Sequence, residues 1–163
     1  MEQTFSLPST LSKPERYTEF IKLWKRLIAD ETDLTSVLAN TCAALREAFG
    51  FFWIGFYLVH PDGELHLGPF QGSVACYRIR KGRGVCGTAW AERRTQVVPD
   101  VELFPGHIAC SSLSRSEIVV PLLWQDEVKA VLDIDSDQLN TFDDTDRIYL
   151  EQVARILSEA IYP

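Results

Sequence analysis

The sequence predicts an α+β fold in which one antiparallel sheet is flanked by helices from both ends of the chain. Three observations predict it. Apolar residues recur at helical spacing near both termini. Two pairs of strand-like segments between them are joined by tight turns, which implies antiparallel pairing. The 163 residues are enough for one domain with a substantial core. We therefore expect one domain and not a doubly wound sheet.

The first elements are two helices. Residues 1–11 are expected to be a loose lead-in. Ser12 and Glu15 then fit a capping box, and apolar residues from Tyr17 to Ile28 follow at helical spacing. A second amphipathic segment predicts a helix from about Asp33 to Phe49.

A hairpin follows the helices. The aromatic and β-branched run from Phe51 to Val59 predicts a strand, and His60–Gly63 is a turn that leads into a partner strand from Glu64 to Leu67. Residues 68–76 are so rich in glycine and proline that we expect no regular element there. Tyr77 to Ile79 is predicted to form a short strand.

The second half of the chain contains a second hairpin and a last helix. Its predicted elements are a short helix from Val85 to Arg93, a brief strand at Val97 and Val98, a long loop from Asp100 to Ser116, a buried strand from Ile118 to Trp124, its hairpin partner from Val128 to Asp135, and a helix from about Asp143 to Ile161. The inward side of that helix is predicted to carry Tyr149, Val153, Ile156, Leu157 and Ala160.

Charge and cysteine content narrow the function classes. The formal net charge of −7 argues against a nucleic-acid partner, because phosphate binding needs a basic face. No apolar run reaches the length of a membrane helix, and the N-terminus lacks a signal-peptide pattern. We therefore expect a cytoplasmic protein, in which the four cysteines indicate redox, catalytic or metal chemistry.

Three of the cysteines fall in the irregular middle of the chain, whereas Cys42 lies beside an apolar helix stripe and is interpreted as a packing residue. Cys76, Cys86 and Cys110 form no CxxC pair, and they fit a thiol that is oxidised and then resolved by a second thiol. Cys86 lies near a helix N-terminus, where the dipole would favour its thiolate. A looser zinc site formed by the three cysteines and His107 is an open alternative, and His107 either donates to an oxyanion or caps its loop.

Acidic and aromatic residues form a second signal. Asp133 and Asp135 lie on one face of a core-type strand, and Glu117 starts the neighbouring strand, so the three acids could converge. An ammonium-bearing ligand would satisfy them, and the alternative is a solvated sheet face. Trp53 and Tyr57 share a face of the first strand and serve either as core or as aromatic walls for a polarised ligand.

Four segments together resemble a known family. GPFQGSVAC (68–76), GRGVCGTAW (82–90), VELFPGHIACSSLSRSEIVVPL (101–122) and VLDIDS (131–136), in this order, resemble the free methionine-(R)-sulfoxide reductases, a catalytic branch of the GAF-domain fold. The resemblance implies a single GAF domain over residues 1–163. In this domain, a six-stranded antiparallel sheet carries helices packed against it and a pocket covered by the middle loops.

The same resemblance implies roles for the residues singled out above. Cys110 would be the nucleophile, with Cys76 and Cys86 as resolving thiols whose order stays open. The substrate's polar groups would be bound by Glu117, Asp133 and Asp135, between the aromatic walls Trp53 and Tyr57. The chain departs from the family pattern at Ser111, where Asp is usual after the nucleophile, and at Phe52, where Asn usually precedes the tryptophan.

The implied activity is reduction of free L-methionine (R)-S-oxide to L-methionine. We expect Cys110 to attack the sulfoxide while Glu117 or Asp135, its pKa raised by burial and like charge, donates a proton. A sulfenic acid, a disulfide and reduction by thioredoxin would follow, with no metal or other cofactor. We also expect no nucleic-acid or membrane partner. The oligomeric state stays open, with a homodimer as one alternative. The alternative is a non-catalytic GAF module that senses a small molecule or redox state.

Overall fold

The computed structural model describes residues 4–162 and confirms the predicted α+β fold. Its elements in chain order are α1 (Lys13–Ile28), α2 (Leu34–Phe49), β1 (Trp53–Val59), β2 (Glu64–Gln71), β3 (Arg78–Arg80), α3 (Gly84–Glu92), β4 (Gln96–Val98), a 3₁₀ turn (Val101–Leu103), β5 (Ser116–Trp124), β6 (Glu127–Ser136) and α4 (Asp144–Ile161). The strands form one six-stranded antiparallel sheet in the order β3-β2-β1-β6-β5-β4.

The helix boundaries follow from local capping. The Ser12 side chain accepts from the backbone N–H of Glu15, and the Glu15 carboxylate accepts from the N–H of Ser12, which confirms the predicted capping box at the start of α1. Asp33 caps α2 in the same way through the N–H of Ser36. Gly50 ends α2 at φ 68°, a left-handed conformation that glycine adopts without steric cost.

Helices α1, α2 and α4 cover one face of the sheet, which we call the helix face. The larger apolar core lies there, and it includes Trp24, Leu38, Leu132 and Leu157, all fully buried. Cys42 belongs to this core, as predicted, and burial raises the pKa of its thiol to about 12. Among the described residues, no helix combines the length and the apolarity needed to cross a membrane.

Strand β2 extends further than predicted, because it continues through Gly68–Gln71. Its pairing with β1 contains a bulge between the Tyr57–Leu67 and Gly55–Phe70 pairs, so that Gly68 and Pro69 together oppose one residue of β1. A bulge tolerates a proline, which has no N–H to give to the ladder. The expectation of an irregular segment beginning at Gly68 was therefore wrong.

Two predictions near the chain ends were also wrong. The lead-in is anchored, because Phe5 is 4% exposed, its ring centroid lies 5.8 Å from that of Phe20, and its N–H donates to Glu47. Residues 1–3 lie outside the described part of the chain. Ala160 is exposed on α4 and not inward, since the packing stripe of that helix runs through Leu150 and Leu157.

The other face of the sheet, which we call the loop face, is covered by α3 and by the loops before β3 and β5. A smaller apolar cluster lies there and includes Trp53, Leu65, Val85 and Val131. Acidic and sulfur-bearing side chains border this cluster, so the polar chemistry is concentrated on the loop face.

Candidate functional site

Strand alternation brings the three acids together. On β6, Leu132 and Ile134 face the helices while Asp133 and Asp135 face the loops, as predicted. Antiparallel register then places Glu117 of β5 directly opposite Asp135. The predicted convergence of the acids is therefore confirmed.

Two of the acids are buried and Asp135 is half-buried, which excludes the alternative of a solvated sheet face. Glu117 is 6% exposed and Asp133 is 5% exposed. Burial, followed by the charges of Asp133 and Asp135, raises the pKa of Glu117 well above its usual range. Burial likewise raises the pKa of both aspartates. The raised pKa favours the protonated form of Glu117, which interacts by hydrogen bonding with the two aspartates.

The hydrogen-bonding capacity of Asp133 is incompletely filled. Its carboxylate accepts from the Cys86 thiol and from Glu117, but within residues 4–162 its buried Oδ1 atom contacts no donor. An unpaired buried carboxylate oxygen is costly. Asp133 lines the pocket, where an ammonium group would supply the missing donor.

Trp53 and Tyr57 form one wall of the pocket and also hold its covering loop. The indole N–H of Trp53 donates to the carbonyl oxygen of Ser73 at 2.9 Å. The hydroxyl of Tyr57 donates to the carbonyl oxygen of Cys76, also at 2.9 Å. Gly72 lies so close to the indole that a Cβ there would come within 2.4 Å of the Trp53 ring. The aromatic wall thus positions the loop that carries Cys76.

Two of the three middle-region cysteines are joined. Cys76 and Cys110 form a disulfide with their Cα atoms 5.6 Å apart. Cys110 is exposed and Cys76 is half-buried. Cys86 is a free thiol, buried in the first turn of α3. The structure therefore pairs Cys110 with Cys76 and holds Cys86 apart.

The expectation that the helix dipole favours a Cys86 thiolate was wrong. Burial, followed by the charges of Asp133, Glu117 and Asp135, raises the pKa of this thiol well above its usual value. The thiol donates a hydrogen bond to Asp133 instead of ionising. Burial disfavours the thiolate more than the helix dipole favours it, and the neighbouring acids add to the effect of burial.

The loop that carries Cys110 closes over the pocket. Ile108 packs on Gly84, where a Cβ would meet the isoleucine side chain at 3.1 Å, and the φ of 63° at Gly84 also suits glycine. The Nε2 atom of His107 lies 3.9 Å from Oε1 of Glu117. Burial lowers the pKa of His107, so this ring is a neutral neighbour of the protonated Glu117.

One cavity gathers the predicted site residues. It contains about 540 Å³ of space not filled by protein atoms, including its open mouth. The predicted residues that line it are Trp53, Tyr57, Cys86, Cys110, Glu117, Asp133 and Asp135, and Cys76 adjoins them through its disulfide. Sequence reasoning missed Arg83, a basic residue at the cavity, although its position immediately before α3 was a usable signal. It also missed Ser114, for which the sequence carries no signal.

The proposed zinc site of three cysteines and His107 is not formed, because two of the sulfur atoms are bonded to each other. Within residues 4–162, two other groups bring ligand atoms within 4.8 Å of one another. Cys86, Glu117 and Asp133 form one, but raised pKa values leave protons competing with a metal there. The other group is at the β1–β2 turn, away from the pocket: His60, Asp62 and His66.

Comparison with known proteins gives consistent relatives. The GAF domain family matches residues 31–161. GAF domain-containing protein A of Dictyostelium discoideum is 57% identical over 90% of this chain and 92% of its own length. Free methionine-R-sulfoxide reductase of Escherichia coli is 45% identical over 93% of this chain and 92% of its own length.

A solved structure is similar over nearly the whole length of this chain. The X-ray structure of free methionine-R-sulfoxide reductase from Neisseria meningitidis in complex with its substrate superposes with a TM-score of 0.94 at 52% identity, covering 98% of this chain and 95% of the other. The fold, the matched residues and these relatives together show that the chain belongs to the GAF-domain family, in the branch of the free methionine-R-sulfoxide reductases.

Proposed function

We propose that this protein reduces free L-methionine (R)-S-oxide to L-methionine by thiol chemistry. The observation that carries the proposal is the Cys76–Cys110 disulfide beside a pocket lined by three acids, two of them buried. The relatives named as free methionine-R-sulfoxide reductases support the same activity. These named relatives, one of them solved in complex with its substrate, favour the enzyme over a non-catalytic sensor.

Substrate recognition follows from charge. Asp133 and Asp135 attract the ammonium group of the free amino acid, and the open Oδ1 atom of Asp133 accepts from it. Trp53 and Tyr57 flank the polarised sulfoxide. A methionine sulfoxide residue inside a protein has no ammonium group, so we propose that the site selects the free amino acid.

The first chemical step joins Cys110 to the substrate. The Cys110 thiolate attacks the sulfoxide sulfur while Glu117, whose raised pKa favours its protonated form, protonates the sulfoxide oxygen. The oxygen ends on Cys110 as a sulfenic acid, and methionine departs with its sulfur reduced by two electrons. The Cys76 thiol then condenses with the sulfenic acid, which forms the disulfide and releases water.

Thioredoxin is the proposed reductant, because a dithiol reopens a disulfide by exchange. Such reductants keep thiols reduced in the cytoplasm, which we propose as the compartment. Cys86 does not form the disulfide seen here, so we assign it a supporting role as hydrogen-bond donor to Asp133. Formation of a homodimer stays a prediction, which sedimentation velocity would check.

The experiment is NADPH consumption with thioredoxin, thioredoxin reductase and separated epimers of free methionine sulfoxide. We expect turnover of the R epimer and a loss of at least about a thousandfold in Cys110→Ser. Cys42→Ala removes a thiol from the helix face instead and should retain activity. Turnover that survives in Cys110→Ser would overturn the nucleophile assignment. Absence of turnover with both thioredoxin and dithiothreitol would overturn the enzyme itself.

A second arm tests the ammonium contact. N-acetylation of the substrate removes the positive charge and leaves the sulfoxide unchanged. We expect kcat/KM to fall by about a hundredfold or more, because a buried carboxylate then loses its partner. Equal turnover of the acetylated and free substrates would show that Asp133 and Asp135 do not select the free amino acid.

A further inference from the structure

Exposed apolar side chains surround the disulfide. Of the eight large apolar side chains exposed within residues 4–162, four lie within three positions of Cys76 or Cys110. We call these four the apolar rim: Val74, Tyr77, Ile108 and Leu113. They are from 37% to 86% exposed. Because the two cysteine Cα atoms are 5.6 Å apart, the rim occupies one region of the surface.

The same region is basic, in a chain whose net charge is −7. Residues 72–84 and 105–115, which carry the two cysteines, contain five basic and no acidic residues: Arg78, Arg80, Lys81, Arg83 and Arg115. Arg80 pairs with Glu64 at 3.5 Å. Arg78 and Arg115 are exposed near the cysteines. The two segments that carry the disulfide are thus basic in an otherwise acidic chain.

A second molecule can reach Cys110 without entering the substrate pocket. Cys110 lines the pocket and also an open groove on the outer surface, which is bordered by Phe51, Phe52 and Leu113. The substrate and a reductant therefore have separate approaches to the same sulfur atom.

We propose that the apolar rim and its basic surroundings are the docking surface for a protein dithiol, one whose cysteine sits on an apolar surface bordered by acidic residues. This inference rests on the proposed function. A small thiol needs no exposed apolar area, whereas a protein partner buries it and gains from the opposite charge.

Reduction of the Cys76–Cys110 disulfide by the partner takes two exchange steps. A thiolate of the partner attacks the sulfur of Cys110, the more exposed member of the pair, forms a mixed disulfide and releases Cys76 as a thiolate that takes up a proton. The second thiolate of the partner then attacks the mixed disulfide and releases Cys110. The partner ends as a disulfide, and this protein as two thiols.

The test compares reductants on a double variant, Tyr77→Ser with Leu113→Ser. Both side chains are exposed, at 76% and 63%, and neither lines the substrate pocket. With a thioredoxin of net negative charge, we expect the KM for thioredoxin to rise by about tenfold. Turnover with dithiothreitol and the KM for methionine sulfoxide should not change.

The matched control is Leu139→Ser with Ile148→Ser, which removes two equally apolar side chains, 48% and 51% exposed, away from the disulfide. It should leave the KM for thioredoxin unchanged. An unchanged KM in the rim variant, or an equal rise in the control, would overturn the proposal. Failure of dithiothreitol to support turnover by the wild type would instead be a failure of the proposed function.

A charge arm tests the basic surroundings separately. Arg78→Glu should raise the KM for the same thioredoxin several-fold at low salt, and added salt should reduce the difference. Arg155→Glu on α4 makes the same change away from the disulfide and should have little effect. If Arg78→Glu and Arg155→Glu change the KM for thioredoxin equally, charge complementarity at the rim is excluded.

Discussion

Asp146 and Asp133 are almost equally buried carboxylates, at 4% and 5% exposed, on opposite sides of the sheet. Asp146, on the helix face, accepts from the Tyr17 hydroxyl at 2.6 Å and from Lys13 Nζ at 2.8 Å. Asp133, on the loop face, keeps one oxygen without a donor in the described part of the chain. The fold completes the hydrogen bonding of the first carboxylate and leaves one oxygen of the second unpaired, so we infer that Asp146 is a structural acid and that Asp133 binds a ligand.

The largest difference between Asp133 and Asp146 should appear when each carboxylate is neutralised in turn. We expect Asp133→Asn to lower kcat/KM by about a thousandfold, because the ammonium loses a buried partner, with little loss of stability. Asp146→Asn should lower the free energy of unfolding by about 2 to 3 kcal/mol, since Lys13 and Tyr17 lose a charged acceptor. Its kcat/KM should be unchanged. Steady-state kinetics and urea unfolding on both variants are the measurements, and similar profiles for the two variants would contradict the distinction.

The apolar core on the helix face and the smaller cluster on the loop face should lose different amounts of stability when a leucine in each is replaced by alanine. Leu132 and Leu65 are both fully buried, the first beneath three helices and the second on the loop face. We expect Leu132→Ala to cost about 4 kcal/mol and Leu65→Ala about 2 to 3 kcal/mol, as the smaller cluster can collapse more readily. Chemical denaturation would measure both. A larger loss in Leu65→Ala would show that the loop face carries more of the stability.

The acidic pocket should make the protein less stable as the pH rises. Unfolded carboxyl groups lose their protons near pH 4, whereas the raised pKa of Glu117 and Asp135 keeps protons on the folded protein. Over that interval the native state binds more protons, so the free energy of unfolding falls with increasing pH, by about 1.4 kcal/mol for each unit by which a pKa is raised.

Thermal unfolding between pH 5 and pH 8 without substrate would check this. We expect the Tm of the wild type to fall over the range, and that of Glu117→Gln to fall less and to be higher at pH 8. A Tm that rises with pH in the wild type, or an identical slope in the variant, would rule out protonated acids in the pocket.

The smallest expected effect concerns Ser111, which lines both the pocket and the outer groove. In Ser111→Asp, the new carboxylate repels the thiolate that Cys110 needs for attack. Because the position is only partly buried, we expect a loss of about two- to fivefold in turnover with dithiothreitol. Ser111→Asn is the control of equal size without charge. A gain in rate in Ser111→Asp would contradict the expected repulsion between the new carboxylate and the Cys110 thiolate.

Local patterns account for what the sequence could predict. The capping residues Ser12 and Asp33 act on their own helices, and the alternation of β6 needs only a period of two to place Asp133 and Asp135 on one face. The extension of β2 was missed because a bulge suspends the usual penalty on Pro69.

The sulfur chemistry depended on contacts between distant segments. Spacing could not show that Cys76 pairs with Cys110, which is 34 positions away. It also could not show that burial against β5 and β6 opposes ionisation of Cys86 on α3. The helix dipole was visible in the sequence, while the burial of the thiol was set by tertiary packing.

The hydrogen bonds from Trp53 and Tyr57 end on carbonyl oxygens of the main chain, at Ser73 and Cys76. Every amino acid supplies such an oxygen, so this anchoring of the loop does not depend on the identity of the side chains there. Exchanging Tyr77, which does not line the pocket, for the residue of a homologue would then be a route to enzymes matched to different electron donors. Recognition of the oxidised amino acid would be inherited unchanged, because it depends on strands that the exchange leaves intact.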